Sequence, residues 1–348
     1  MFSKRCGFWA CSAVCLLLIG CNQDAANNKT RVTVTGAGAT LPAPLYEKWF
    51  TEYGAGTGTR IVYQAVGSSR GVQSILTDTV DFGASDTPLS ADQQSQAGDD
   101  VLQIPTTLSA VAIVYHMPEV ENLKLTGEVL AGIVSGAITT WNDPRIAQLN
   151  SGEELPAGKL AFVRRTDGSG TTTLLTEYLS ATSPSFKEKY GVGAKIKTAG
   201  ALEADGNAGA TMLISQTRGS LGYVALNYAR ANKLQTARMF NSTGAYVEPS
   251  LDSITAAASL TQKDLTVSLI NSRAPGAYPI ASFSYLLVHQ DAAEPCETRR
   301  ALSRFIWWTL RDGQSFAPFL HYGALPPLVV KHAEEQLRKL TCQGKALL

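Results

Sequence analysis

With 348 residues, 45% of them hydrophobic, and a formal net charge of +1, the chain is too long for one typical core and carries no basic excess. A nucleic-acid surface is therefore not expected, and an anion site would have to build its positive potential locally. The four histidines, His116, His289, His321 and His332, show no ligand spacing with cysteines or carboxylates, so neither a metal centre nor a cofactor is expected.

The N-terminus reads as an export signal. Lys4 and Arg5 precede an apolar stretch at 8–19, too short to span a bilayer comfortably, which ends in Leu18-Ile19-Gly20-Cys21. That ending resembles the bacterial lipoprotein cleavage box, with residues 1–20 removed and Cys21 lipidated as the first mature residue. Residues 22–29 are polar and rich in Asn and Ala, as a flexible tether should be. Removing Lys4 and Arg5 leaves 28 basic against 29 acidic residues, a net charge of −1. Of the six cysteines, only Cys296 and Cys342 would then remain free of processing. An even pair in an exported protein reads as a disulfide. Two separate thiols are the alternative, because sequence does not give their distance.

Along the mature chain, β-branched runs alternate with helical periods, which predicts an α/β fold of two lobes with mainly parallel strands. Val32 and Val34 start a strand, and Thr35-Gly36-Ala37-Gly38-Ala39-Thr40-Leu41-Pro42 turns it into a helix through Leu45, Trp49 and Phe50. Pro42 suits the first helical position, and Thr40 the capping region. A strand at Arg60–Ala65 and a helix through Val72, Ile75 and Leu76 flank Val66-Gly67-Ser68-Ser69-Arg70-Gly71. Val80-Asp81-Phe82-Gly83-Ala84-Ser85-Asp86-Thr87-Pro88 then sets a carboxylate, Asp86, near these turns. Val101–His116 is a long apolar run broken by Pro105, residues 200–209 read as a mobile loop, and Ala281–His289 is a second apolar strand. Residues 299–310 have helical periodicity, with Trp307 and Trp308 expected to pack in the core, and 331–340 reads as a last amphipathic helix.

The most telling segment is Arg164-Arg165-Thr166-Asp167-Gly168-Ser169-Gly170-Thr171-Thr172-Thr173. It delivers a strand's arginines into a hydroxyl-rich, glycine-flanked helix start, the ingredients of an anion site. Backbone N–H groups and the partial positive charge of the first turn face the ion, and an arginine fork adds a two-pronged bond. Asp167 is placed to orient that guanidinium. Side chains alternate along a strand, so Arg164 and Arg165 cannot both face one ligand. Read singly, Thr40, Ser68, Ser169 and Thr171 are ordinary helix caps. Their coincidence with Arg165 makes a constellation.

TGAGATLPAPLY, GSSRGV, VDFGASDTPLS, WNDPRIAQLN, VRRTDGSGTT and GSLGYV, in this order over most of the chain, resemble the phosphate-binding proteins of bacterial high-affinity phosphate ABC transporters. The resemblance implies a two-lobed periplasmic-binding-protein fold of type II, with residues 30–110 and 282–348 in lobe I and 111–281 in lobe II. It implies a monomeric receptor on the periplasmic side, lipid-anchored, delivering inorganic phosphate to permease subunits. It makes Thr40, Leu41 through its backbone N–H, Ser68, Asp86, Arg165, Asp167, Ser169, Gly170 and Thr171 the phosphate contacts, and selects Arg165 over Arg164. Arg70 departs from the family, which usually has a small residue there.

Other chemistries fit less well. Leu41-Pro42 stands where a dinucleotide-binding turn needs its third glycine, and no Gly-Lys-Ser/Thr follows any of the loops. Gly168-Ser169-Gly170 is not a nucleophile elbow and has no histidine nearby in sequence. The site looks built to hold an ion, not to transform it. A sensor or scavenger uncoupled from transport and a phosphatase-like enzyme on the same scaffold remain the alternatives. Sulfate or molybdate as ligand is disfavoured by Asp86, since a fixed acceptor suits an oxyanion that still carries a proton.

Overall fold

Thr33–Gly38 (β1) leads through a tight turn into Ala43–Thr57 (α1), and the unit repeats as Arg60–Ala65 (β2), Ser68–Leu76 (α2) and Phe82–Ser85 (β3). β1 pairs in parallel with both β2 and β3. The structure, a computed structural model, describes residues 32–98, 100–260, 264–292 and 295–348. The signal segment 1–20, Cys21 and the tether 22–29 lie outside the described residues. Pro42 is the N-cap of α1, one position earlier than expected, and no side chain caps that end. Gly36 leaves room for the Phe82 ring, whose nearest atom would lie 2.1 Å from an added Cβ. This first glycine of the Gly-x-Gly pair thus serves strand-to-strand packing.

Val101–His116 (β4) is one continuous strand despite Pro105, and it changes partner midway. Residues 101–110 pair antiparallel with Ala281–His289, and residues 111–116 pair antiparallel with Ser220–Ala225. The pairing register shifts at Ser284/Tyr285, opposite Pro105. A bulge there accommodates a residue that has no N–H to give to the ladder.

Beyond β4 come Ala161–Arg165 (β5), Gly170–Thr182 (α3), Leu202–Ala204 (β6), Gly206–Gln216 (α4), Ser220–Ala225 (β7), Leu226–Ala231 (α5) and Ala281–His289 (β8). The main sheet runs β2-β1-β3-β8-β4-β7-β5-β6. Its two wings are parallel, β1 with β2 and β3 on one side and β5 with β6 and β7 on the other. The strands joining the wings are antiparallel, so the parallel pairing expected from the α/β alternation holds only within each wing. Residues 200–209, expected as a mobile loop, instead hold β6 and the start of α4. Asn207, in the first turn of α4, is completely buried.

Cys296–Thr309 (α6) and Pro327–Leu337 (α7) cover the first wing. Cys296, at the start of α6, is disulfide-bonded to Cys342, with 5.6 Å between their Cα atoms. Trp308 packs against Tyr53 and Phe316. Both tryptophans, expected in the core, are half-buried, and the Trp307 ring is covered by the guanidinium groups of Arg311 and Arg338, 4.4 and 4.7 Å from its centroid. Trp49 and Trp141 are the buried anchors of their wings, each donating its indole N–H to a carbonyl, of Gly313 at 2.7 Å and of Gly219 at 3.0 Å.

Candidate functional site

The C-terminal ends of β1, β3 and β5 meet the first turns of α2, α3 and α4 where the two wings face each other. Arg165 is the last residue of β5 and is only 1% exposed. Its Nε–H donates to Asp167 Oδ1 at 2.7 Å, and Nη2 donates to Asp167 Oδ2. The two-pronged bond expected to face an oxyanion is thus taken by Asp167. The outer edge of the guanidinium reaches Thr40 Oγ1 at 3.2 Å and Thr171 Oγ1 at 3.4 Å. Burial alone pushes the Asp167 carboxyl up, but the bonds and charge of Arg165, with the Gly206 N–H, hold it below the usual carboxylate range. The phenol of Tyr223 accepts from the Arg165 backbone N–H at 3.1 Å and fixes the strand end beneath the side chain.

Asp86, just past β3, is the second charge centre and is 1% exposed. Its Oδ1 accepts from Ser284 Oγ at 3.1 Å and its Oδ2 from Ser68 Oγ at 3.2 Å. Ser282 Oγ donates to the Asp86 carbonyl at 2.8 Å. Burial raises its pKa to about 7, with the hydroxyl bonds and the Arg165 charge pulling the other way and Asp167 adding to the rise.

Of the four hydroxyls that read as caps, only Ser169 caps a helix, its Oγ accepting from Thr172 N–H at 3.2 Å. Gly67 is the N-cap of α2, and Ser68 is spent on Asp86. Thr40 and Thr171 share Arg165 and Asn207 instead. Gly170 has a steric reason: an added Cβ would lie 2.3 Å from Ser68 Oγ and 2.7 Å from Asp86 Oδ2. The absent side chain lets the first turn of α3 approach the carboxylate. Its first N–H groups have no intrahelical acceptor and point along the axis into the site. Leu41 is buried, and the carbonyls of Ala39, Thr40 and Leu41 are held by the phenols of Tyr63, Tyr228 and Tyr322 at 2.7, 3.3 and 2.7 Å. With its carbonyls pinned, this turn presents Thr40 Oγ1 and the Leu41 N–H in fixed directions.

Arg164 points away, as strand alternation requires, and pairs with Glu203. Arg70 is exposed and lines a depression of about 590 Å³ with Ser69, Lys195, Asp205 and Gly168 beside the seam between the wings. Sequence reasoning missed Asn207, Ser282, Ser284 and the tyrosines. The serines had a signal: Ala281-Ser282-Phe283-Ser284 places polar residues at period two in an otherwise apolar strand, on one face. Asn207 had none.

A profile of the PBP superfamily domain matches residues 24–312. The phosphate-binding protein PstS of Pasteurella multocida is 39% identical over 310 residues, spanning 87% of this chain and 89% of that protein. The chain belongs to this family of phosphate-binding proteins. A second PstS protein, from Xylella fastidiosa (strain Temecula1), is 37% identical over 328 residues, 90% of this chain and 89% of that one. Among solved structures, the phosphate-binding protein of Stenotrophomonas maltophilia superimposes with a TM-score of 0.69 at 19% identity, covering 88% of this chain and 94% of that chain. At that identity the likeness is one of fold, the mixed α/β sheet of the periplasmic binding proteins.

Proposed function

We propose that the chain is an extracytoplasmic receptor that binds inorganic phosphate between its two wings and delivers it to the permease of an ABC importer. One observation carries the ligand assignment. The site has many donors, from Thr40, Leu41, Arg165, Ser169, Gly170 and Thr171, but its one charged acceptor free to face a ligand is Asp86, because Asp167 is committed to Arg165. Phosphate near neutral pH still bears a proton for such an acceptor, whereas sulfate and molybdate do not. Ser68 holds the carboxylate in place. Nothing in the cluster serves as an activated nucleophile, so the reading is a receptor and not an enzyme.

In this reading the wings are lobes, residues 30–110 with 282–348 and residues 111–281, and the partner switch of β4 after residue 110 marks the crossover. Closure takes the ion out of water, where each donor counts for more. Titration calorimetry of the purified protein with phosphate, sulfate and molybdate tests the assignment. Saturable phosphate binding with no heat from the other two is expected; sulfate or molybdate binding as tightly as phosphate refutes it.

The chain is proposed to reach the membrane through lipid on Cys21, as a monomer that touches the permease from the periplasmic side. Among the described residues no helix is long and apolar enough to cross a membrane. Cys21→Ser is expected to abolish incorporation of labelled lipid while phosphate binding by the soluble domain persists. Lipid labelling of that variant refutes the lipoprotein assignment.

A further inference from the structure

The orientation of the Asn207 carboxamide follows from its neighbours. Ala225 donates its backbone N–H to Asn207 Oδ1 at 2.9 Å. A backbone N–H has no acceptor capacity, so the oxygen must face Ala225 and the NH2 must face the other way. That NH2 lies 2.9 Å from Thr40 Oγ1 and 3.3 Å from Thr171 Oγ1, one hydrogen for each. Arg165 reaches the same two oxygens, with Nη2 at 3.2 Å from Thr40 and Nη1 at 3.4 Å from Thr171, and a guanidinium also only donates. Each hydroxyl oxygen therefore has both lone pairs facing obligate donors. What each has left is its own O–H, which must point out of the cluster. Asn207 and Thr171 are 0% exposed, Arg165 1% and Thr40 8%, so bulk water does not relax this polarity.

We infer that Asn207 is a positioning residue that turns Thr40 and Thr171 into obligate hydrogen-bond donors toward the bound oxyanion. This rests on the phosphate-receptor reading above and adds a rule to it. At the Thr40/Thr171 end only an unprotonated, unesterified ligand oxygen is accepted, and the ligand's proton is directed to Asp86. The polarity also depends on closure. Thr40 belongs to the wing of β1, and Arg165, Thr171 and Asn207 to the wing of β5, so Thr40 acquires both of its donors only when the wings meet.

The test is phosphate titration of wild type, Asn207→Asp, Asn207→Leu, Thr171→Val and the Asn207→Leu/Thr171→Val double variant, with melting of each phosphate-free protein alongside. Asn207→Asp keeps the shape and the acceptor for Ala225 but replaces the NH2 with an acceptor. It is expected to weaken phosphate binding at least about a hundredfold at pH 8, with a melting temperature below that of wild type, because the carboxylate is buried, but with the protein folded at the titration temperature. Asn207→Leu introduces no charge and is expected to cost at least about tenfold, and clearly less when Thr171 is already valine, because the effect runs through that hydroxyl. Asp and Leu variants that bind within about twofold of wild type overturn the inference. So does an Asn207→Leu loss that is equal in both backgrounds, as a purely structural role through Ala225 requires. If the Leu variant does not fold, the Asp variant decides. A wild-type protein that does not bind phosphate refutes the receptor reading itself, which is a separate outcome.

Discussion

Replacing Arg165 with alanine is expected to lower phosphate affinity by at least about a hundredfold, on the order of 3 kcal/mol. Three losses combine. The site loses the full positive charge that faces the ligand inside a region closed to water. Asp167, 7% exposed at its side chain, is left without its cationic partner, and an uncompensated buried carboxylate next to the ligand repels a second anion. Thr40 and Thr171 each lose one of the donors that fix their hydroxyl hydrogens. The measurement is a phosphate titration at pH 8, with circular dichroism to establish that the variant is folded. A loss below about threefold sinks the assignment of Arg165 as the principal charge in the site.

Asp86→Asn is expected to relax discrimination and, at the same time, to stabilise the phosphate-free protein above pH 7. The first effect follows from hydrogen-bond chemistry: asparagine keeps the size, removes the charge and offers a donor, so sulfate is rejected less strongly. The second follows from linkage. Burial raises the folded-state pKa of Asp86 to about 7, above its unfolded value near 3.9, so the folded protein binds the extra proton between them. Stability is therefore lost as pH rises through that window, and a neutral side chain escapes the loss. The same shift predicts that wild type discriminates less as pH falls below about 7, because a protonated Asp86 donates where the carboxylate accepted. Sulfate and phosphate titrations at pH 6 and pH 8, with melting curves of both phosphate-free proteins, check all three statements. An Asp86→Asn protein with wild-type preference at pH 8 refutes the acceptor role, and a lower melting temperature at pH 8 refutes the burial cost.

Local rules carried the sequence reading far. Strands β2 and β8 lie where the sequence places them, at Arg60–Ala65 and Ala281–His289, because a β-rich run bounded by turn residues leaves a pattern in the chain itself. The segment at 164–173 is legible for the same reason: strand, glycine turn and helix start are consecutive, and helix dipole chemistry needs no distant partner. Where the reading went astray, a neighbour far off in sequence had intervened. Ser68 and Thr40 have the composition of caps, yet they are drawn to Asp86 and to Arg165 by groups 18 and 125 residues away. Residues 200–209 have the composition of a loop, and they form structure because Asn207 finds donors and acceptors on three other elements.

The sequence by itself thus determined the α/β alternation, the two long apolar strands, the strand-turn-helix decapeptide at 164–173 and the split between Arg164 and Arg165, since each depends on periodicity or on residues within one turn. Only the tertiary structure decided which hydroxyls cap and which point into the site, that Asp167 and not the ligand takes the arginine fork, that Asp86 is buried deeply enough to raise its pKa to about 7, and that Asn207 belongs to the cluster. Those outcomes depend on desolvation and on the direction of single hydrogens. Both are fixed only when the strand ends of two wings, distant in the chain, are brought within hydrogen-bonding distance of each other.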